Sequence, residues 1–447
     1  MDSLSLGQKL KKARLEKNFT QQDVAGDFIT RNMLSKIEND LAKPSIKTIE
    51  YLAKRLDKPV SYLLESIVEG IKENEESLSV VRDSYELIFE HSCYLIKDNE
   101  YDKCISYLED MITHNQGNIS SFYYSRILYN LALCFFKKKY YETAMNKFEQ
   151  VSIFMIENKD YYYLSNLYFH LHNIYYFQNN FFKSETYGKK AIEYLHKSFI
   201  DDVLYEIKLY FKLSFPYKRL GKYTVAIESL TKALDLSKEY NCHYNSGEIH
   251  MMMGTILHKT KRYVEAIFHA KKAIEFFKFA ESHKLMALTQ RNLGNSLINI
   301  NSYDEAITYI EQSLQYFTGI NDINESNTSK CDLLQCLVKK ELYQDAIDYF
   351  EDIGLEALSK ADLGNTYNFL GKAYYGLKDL SNAKNFLLKS EEILLSIKRY
   401  DYLTDVYSSL AQLCSDIQEY KEAYEYSTKA KEAMEQAIDT GLIYSEG

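Results

Sequence analysis

The segment from Thr30 to Glu38 combines side chains that can hydrogen-bond to nucleic acid with an apolar stripe at helical spacing. Its polar members are Thr30, Arg31, Asn32, Ser35 and Lys36. Guanidinium, carboxamide and hydroxyl groups bond to base edges, while a lysine neutralises phosphate. Leu34 and Ile37 fall on the opposite face, which leaves the polar side facing outward. Because the major groove of DNA admits one helix, the pattern predicts a DNA-reading helix, with Arg31, Asn32 and Ser35 against the bases.

Five helices are predicted in residues 1–65, and they position that segment as the third of them. Their starts are marked by Ser5, Thr20, Thr30, Pro44-Ser45 and Pro59. Gln21, Gln22 and Lys43 are predicted to contact the DNA backbone, together with Lys36. Glu38 is expected to pair inside the domain, because phosphate would repel a carboxylate that faced it. The alternative is a dimerisation or adaptor module with an ordinary polar surface.

The motifs of this region resemble the phage-repressor type of helix-turn-helix. They are Thr20-Gln21-Gln22-x-Val24-Ala25, Ser35-Lys36-Ile37-Glu38-Asn39 and Pro44-Ser45. One departure is the turn from Gly26 to Ile29, which is one residue shorter than the common form and lacks its glycine. The resemblance implies double-stranded DNA as a partner.

Composition assigns the rest of the chain to the all-α class. Of 447 residues, 46 % are apolar, but only 3 are proline and 16 glycine, too few for the turns of a sandwich or barrel. No apolar run is long enough to span a bilayer, and we expect a cytoplasmic protein without membrane contact. Residues 1–65 hold 12 Lys+Arg against 9 Asp+Glu, whereas the whole chain has a net charge of −9. This small basic head on an acidic body fits DNA contact by the head alone.

A repeat of about forty residues fills the body, a period typical of a helical solenoid. An aromatic or leucine is followed three residues later by a small residue, and the small positions step by 40, 40, 42, 40, 40, 40, 37 and 40. These positions are Cys104, Ala144, Ser184, Ala226, Ala266, Ala306, Ala346, Ala383 and Ala423. The spacing resembles the tetratricopeptide repeat. We therefore predict a right-handed α-solenoid of about nine helix pairs over 78–436, with a linker at 66–77 and a tail at 437–447.

Polar residues recur where the first helix of each pair should face the concave groove of the solenoid. They are Arg126, Asn130, Asn166, Asn173, Lys208, Lys212, Arg291, Asn292, Asn295 and Asn368. Asparagine is a poor helix former, so its recurrence inside helices favours a role in recognition. A carboxamide both donates and accepts, and can hold the backbone of an extended peptide. The alternative is a polar face that merely tolerates asparagine.

No pattern points to catalysis. The phosphate-binding, dinucleotide-binding, zinc-protease and nucleophile-elbow motifs are absent from the sequence. His170 and His172 are two residues apart, so they leave a helix on different sides and cannot chelate together. The seven cysteines are scattered and contain no C-x-x-C pair. We expect no enzyme, cofactor or metal site.

A repressor-type helix-turn-helix followed by tetratricopeptide-like repeats resembles the RRNPP family of peptide-responsive regulators. The resemblance implies a homodimeric transcription regulator that binds an operator and a short signalling peptide, as in quorum sensing. Some members of that family act instead by protein contact with a response regulator. A third possibility is a solenoid that serves only for dimerisation.

Overall fold

The computed structural model describes residues 5–26, 28–42, 44, 46–58, 62–63, 78–114 and 121–440. The head contains α1 (Leu6–Glu16), α2 (Gln21–Ala25), α3 (Arg31–Glu38) and α4 (Ile46–Leu56). Tyr62 and Leu63 are helical, but the predicted fifth helix otherwise lies outside the described residues, as do the predicted linker and the last seven residues of the tail.

Side-chain caps set the starts of the first three helices, as the sequence predicts. The Ser5 and Thr20 hydroxyls accept hydrogen bonds from the backbone N–H groups of Gln8 and Asp23, at 3.1 and 3.2 Å. Thr30 accepts from the N–H of Met33 at 3.1 Å. Each cap satisfies an N–H that the helix itself leaves unpaired. Below the caps lies one apolar core, formed by Leu10, Ala13, Val24, Ala25, Leu34, Ile37, Ile49, Leu52, Ala53, Leu56 and Leu63.

The turn between α2 and α3 does contain a glycine with a turn conformation, contrary to our expectation. Gly26 is the C-terminal cap of α2 and has a φ of 53°, in the left-handed region that side chains disfavour. A Cβ at this position would lie 2.1 Å from the Tyr51 hydroxyl oxygen. A glycine is therefore needed for two reasons: the backbone has a positive φ, and Tyr51 of α4 approaches too closely for a Cβ.

Nine helix pairs follow the head in the described residues, in agreement with the predicted repeat. They are α5 (Leu78–Lys97) with α6 (Tyr101–His114), α7 (Ser121–Lys137) with α8 (Tyr141–Glu157), α9 (Tyr161–Phe177) with α10 (Phe181–Lys197), α11 (Val203–Arg219) with α12 (Tyr223–Glu239), α13 (Ser246–Lys259) with α14 (Tyr263–Phe279), α15 (His283–Ile298) with α16 (Tyr303–Gly319), α17 (Ile323–Lys339) with α18 (Tyr343–Phe350), α19 (Lys360–Gly376) with α20 (Leu380–Ser396), and α21 (Tyr400–Asp416) with α22 (Tyr420–Asp439). No helix of the described chain is long and apolar enough to cross a membrane.

The chain divides into two compact units, Met1–Asp201 and Asp202–Gly447. The first contains the head and three helix pairs, and the second contains six pairs. In both, the small residues of the repeat lie where the two helices of a pair meet. Gly294 of α15 shows the constraint, because a Cβ there would lie 2.5 Å from Cγ1 of Ile310 on α16. Close packing of the paired helices therefore requires small side chains at these positions.

The seventh pair is the irregular one, and it accounts for the single step of 37 residues. Its second helix, α18, has 8 residues where the other fully described second helices have 17 or 20. A short 3₁₀ turn, Leu355–Ala357, leads from it to α19. The amide of Asn327 on α17 donates to the carbonyl of Gly354 at 3.1 Å and so fixes this connection.

The turn inside each of the nine pairs contains one residue with positive φ. These residues are Asn99, Lys139, Asn179, Gly221, Lys261, Asn301, Glu341, Lys378 and Gln418. With this residue in the left-handed conformation, its own N–H and that of the next residue bond back to the preceding helix: Lys139 donates to the carbonyl of Phe136 and Tyr140 to that of Phe135, both at 2.9 Å. The turns thus close by hydrogen bonding with only one glycine among them.

Candidate functional site

Helix α3 presents the predicted base-reading side chains to solvent. Leu34 and Ile37 are buried in the head core, whereas Arg31, Asn32 and Lys36 are exposed and Ser35 is half-buried. In the described part of the chain, the side chains of Arg31, Asn32 and Lys36 form no hydrogen bond or ion pair. Three polar side chains without internal partners on one exposed helix face are available to an outside ligand.

A buried ion pair holds α3 against the first two helices. Nε and Nη2 of Arg14 donate to the two carboxylate oxygens of Glu38 at 2.5 and 3.0 Å, and Glu38 is 3 % exposed. The hydrogen bond to Glu38 raises the pKa of Arg14 above its ordinary value. The amide of Gln21 also donates to Glu38, at 2.8 Å. The expected internal role of Glu38 is confirmed.

The remaining predicted DNA contacts divide into three cases. Gln22 is exposed on α2, and Thr30 is exposed and caps the N-terminal end of α3, so both lie at the surface of the head. The amide of Gln21 is held by Glu38, and its contact with phosphate would break that bond. Lys43 lies outside the described residues.

In the first unit, the predicted groove cation Arg126 is enclosed by aromatic rings. Its guanidinium lies 4.3 Å from the ring centroid of Phe122 and 4.4 Å from that of Tyr163. Nε donates to Asp160 at 2.9 Å, across to the next first helix. Rings and carboxylate together fix the guanidinium in one position.

The three predicted asparagines of this unit bond within the protein. Asn130 is 2 % exposed and donates to the hydroxyl of Ser92 at 2.6 Å. Asn166 and Asn173 are half-buried, and their amides donate to backbone carbonyls one turn earlier in α9, at 3.0 and 2.8 Å. Asn130 therefore presents no atom to the surface, while the other two retain a side-chain oxygen.

In the second unit, Arg291 and Asn295 converge on one carboxylate of the neighbouring first helix. Asn295 donates to Oδ2 of Asp332 at 3.1 Å, and Nε of Arg291 lies 3.7 Å from the same oxygen. Arg291 also donates to Glu325 at 2.6 Å. Burial raises the pKa of Asp332 to about 6, against the opposing effects of Arg291 and Asn295. The Oδ1 atom of Asn295 is buried and accepts no hydrogen bond from any described residue.

A second network of the same design lies two pairs further on. Asn368, which is fully buried, donates to Asp405 at 2.7 Å, and Lys372 bonds to the same carboxylate. Although burial alone would raise it, these partners hold the pKa of Asp405 below its ordinary value. Oδ1 of Asn368 is likewise buried and has no hydrogen-bond partner in the described part of the chain. Asn368 thus repeats the bonding of Asn295 at a place that gives a ligand no access.

A cavity of about 150 Å³ lies beside Asn295, between α13, α14 and α15. Its walls are Met251, Gly254, Thr255, His258, Lys259, Ala266, Ala270, Thr289, Asn292, Asn295 and Ser296. Gly254, Ala266 and Ala270 are small residues of the repeat, and their size leaves the space open. Of the predicted residues, Asn292 and Asn295 meet here.

Sequence reasoning missed His258 and its partner in this cavity. Nδ1 of His258 and the hydroxyl of Ser296 are 2.9 Å apart, which links α13 to α15. Burial, and to a smaller extent Lys259, lower the pKa of His258 below its ordinary value. A lone histidine near the end of a predicted helix carried no signal of this contact.

Two other predicted groove residues, Lys208 and Lys212, lie half-buried on α11. The ammonium of Lys212 is 5.3 and 4.9 Å from the ring centroids of Phe211 and Phe215. Burial lowers the pKa of Lys212. This cation is stabilised by aromatic faces and has no bonded carboxylate in the described structure.

The head and the helix pairs define a class of protein, a tetratricopeptide-repeat regulator with a helix-turn-helix DNA-binding domain. Family comparison agrees: the Helix-turn-helix family matches residues 10–63, the Tetratricopeptide repeat residues 207–240, and the SusR N-terminal TPR domain residues 299–399. This two-part composition confirms the resemblance to the RRNPP family. No curated protein matches the sequence significantly.

Solved structures share the fold at low sequence identity. The apo form of RapI is 17 % identical over 80 % of this chain and 99 % of its own, with a TM-score of 0.60. Aspartyl phosphate phosphatase F from Bacillus subtilis is 17 % identical over 84 % and 98 %, with a TM-score of 0.51. A signal-transduction ATPase with a tetratricopeptide-repeat sensor from Pyrococcus horikoshii is 14 % identical over 98 % and 74 %, with a TM-score of 0.50. At these identities the likeness establishes the fold.

Proposed function

We propose that the protein is a homodimeric, cytoplasmic transcription regulator of the quorum-sensing type. In this proposal the head binds an operator through α3, and the repeats bind a short linear peptide that changes DNA binding. A change in the curvature of the solenoid would alter the distance between the two heads. Since half-sites lie about 34 Å apart along DNA, or a multiple of that, a few ångströms would alter affinity.

One observation carries the peptide part of the proposal: Asn295 has an unpartnered acceptor and lines a cavity. Its amide nitrogen already donates to Asp332, which fixes the orientation of the carboxamide, and no donor of the described residues bonds to Oδ1. A buried carbonyl without a partner costs about 1–3 kcal/mol, and a peptide N–H would remove that cost. Asn292, exposed on the same cavity wall, supplies a second carboxamide.

The DNA part rests on the exposed face of α3. Arg31, Asn32 and Lys36 have no internal partner in the described residues, Thr30 precedes them at the surface, and Gln22 is exposed on α2. This is a surface of hydrogen-bond donors on a helix that the head core holds in place. The net positive charge of residues 1–65 favours the same polyanionic partner.

The peptide proposal is tested with the full chain and a matched pair of variants. Seven-residue peptides from pooled libraries are selected on the immobilised protein, identified by mass spectrometry and titrated by calorimetry. We expect Asn295→Ala to weaken the selected peptides about tenfold or more, since a buried hydrogen bond is lost. Asn368→Ala removes the same amide-to-aspartate bond away from the cavity and should leave affinity unchanged. Equal losses in both variants would show a structural effect and contradict the proposed site.

The link to DNA is tested by selecting genomic fragments with the full chain, with and without a bound peptide. The proposal requires that the peptide change the affinity for the selected fragments in the wild type and not in Asn295→Ala. Peptide binding without any effect on DNA would refute the coupling. Binding of a response regulator that is insensitive to Arg31→Ala would favour the alternative of regulation by protein contact.

A further inference from the structure

The cations on the first-helix face of the second unit fall into two groups. Arg291 and Lys372 bond to carboxylates of the following first helix, Glu325 and Asp405. Lys218 and Lys259, near the ends of α11 and α13, form no hydrogen bond or ion pair with any described residue. Lys218 and Lys259 therefore lack, among the described residues, the carboxylate partners that Arg291 and Lys372 have.

Lys218 and Lys259 lie near the C-terminal ends of successive first helices, close enough for their positive charges to repel. Lys259 is one of the cavity walls, and Lys218 is half-buried in the preceding pair. Burial, followed by the nearby positive charges of Lys259 and Arg219, lowers the pKa of Lys218. The half-buried ammonium of Lys218 beside Lys259 is unfavourable unless an anion joins the two lysines, because like charges repel and water screens them only in part.

The positive charge of Lys259 lies on the wall of the same cavity as Asn292 and Asn295, whose carboxamides can bind a peptide backbone. Asn295 and Asn292 lie on one wall and Lys259 on another, with the His258–Ser296 contact between them. The space of about 150 Å³ is large enough for one side chain or a chain terminus. An extended peptide held by the asparagines would thus bring its next carboxylate to the lysines.

We propose that Lys218 and Lys259 bind a carboxylate of the ligand, so that the signalling peptide carries an acidic side chain or a free C-terminus at this point. The inference rests on the proposed function, since it specifies the chemistry of the same peptide site. Two ammonium groups offer six donors for the oxygens of one carboxylate. The helix C-termini that carry the lysines partly offset their charge when no ligand is bound.

The experiment uses four pools of seven-residue peptides on the full chain. The pools combine a free or amidated C-terminus with the presence or absence of Asp and Glu, and selected peptides are titrated by calorimetry. We expect the amidated pool without acids to yield no binder within tenfold of the others. Recovery from the free-acid pool without Asp and Glu identifies the terminal carboxylate, and recovery from the amidated pool with them identifies a side chain.

Variants separate this inference from the proposed function. Lys218→Met with Lys259→Gln should weaken the selected peptides about tenfold or more, a loss typical of charge-assisted hydrogen bonds. Lys238→Gln, an exposed lysine in the last turn of a second helix, is the control and should have no effect.

If the lysine variants bind every selected peptide as the wild type does, while Asn295→Ala still weakens them, the carboxylate site is refuted and the peptide receptor stands. If the wild type selects no peptide from any pool, both proposals fall. Thermal unfolding of each variant verifies that the fold is intact.

Discussion

The buried pair of Arg14 and Glu38 should determine whether the head is folded enough to bind DNA. Glu38 is 3 % exposed and accepts three hydrogen bonds, two from Arg14 and one from Gln21. Glu38→Gln removes the negative charge and leaves the guanidinium buried without its counter-ion. Breaking a buried pair in this way costs about 3–5 kcal/mol. A domain of about 60 residues has a total stability of about 3–9 kcal/mol, so most of it would be lost.

Amide hydrogen exchange followed by mass spectrometry measures this loss in the full chain. Peptides covering α1 to α3 should exchange about 150 to 5,000 times faster in Glu38→Gln, the factor that corresponds to 3–5 kcal/mol. Peptides from the second unit serve as an internal reference and should not change. Binding to selected DNA fragments should fall in parallel, although Glu38 faces away from solvent.

Two further variants make the test specific to the buried pair. Glu16→Gln removes a carboxylate that pairs with Lys58 at the surface, at 2.9 Å, and should change exchange by less than about threefold. The double substitution Arg14→Met with Glu38→Leu removes both charges and should recover much of the protection. If Glu38→Gln exchanges within about threefold of the wild type, the pair does not stabilise the head and the reasoning is refuted.

Three other perturbations have defined outcomes. Lys36→Ala should reduce the slope of log affinity against log salt by about 1 and keep the DNA sequence preference. Arg31→Ala should instead lower the preference for selected over random DNA by about 1–3 kcal/mol. Fluorescence anisotropy at several salt concentrations measures both quantities, and equal effects of the two variants would refute the division of roles. Gly26→Ala should destabilise the head by at least about 1 kcal/mol, because φ is 53° and the new Cβ would lie 2.1 Å from the Tyr51 hydroxyl oxygen. Amide hydrogen exchange of the head measures this change, and unchanged exchange rates would contradict the positive φ. Asp332 keeps its proton to higher pH in the folded state, since its pKa is about 6 there and about 3.8 when unfolded. Its contribution to stability therefore falls as pH rises from about 4 to 6, and Asp332→Asn should gain stability in thermal unfolding relative to the wild type over that interval, by up to about 3 kcal/mol. A relative loss would show that the attraction to Arg291 dominates.

The helices and their pairing could be predicted from the sequence because each depends on local signals. Thr20 and Thr30 mark helix starts through caps that involve only the next three residues. Ala266 and Ala306 repeat at the same place in each pair because two helices cannot approach closely around a large side chain. These are short-range constraints, and a single sequence contains them.

The bonding of Asn295 and Asn368 could not be predicted, because it depends on partners more than thirty residues away. Asn295 and Asn368 look equivalent in the sequence, and both donate to an aspartate 37 residues later. Only packing distinguishes them, since one lines a cavity and the other is fully buried. Gln21 likewise has its partner on another helix: its position at a helix start suggested contact with phosphate, whereas its amide donates to Glu38.

The left-handed residues in the turns of the helix pairs separate the stability of the repeats from their recognition surface. Of the nine, five are Lys, Glu or Gln: Lys139, Lys261, Glu341, Lys378 and Gln418. Each holds a conformation that costs a side chain about 1–2 kcal/mol, and none is a cavity wall. In a linear array of repeats, these local contributions to the folding free energy add. The rigidity of the solenoid can therefore be raised or lowered in small, separate steps during evolution or engineering, while the residues proposed to read the peptide stay the same.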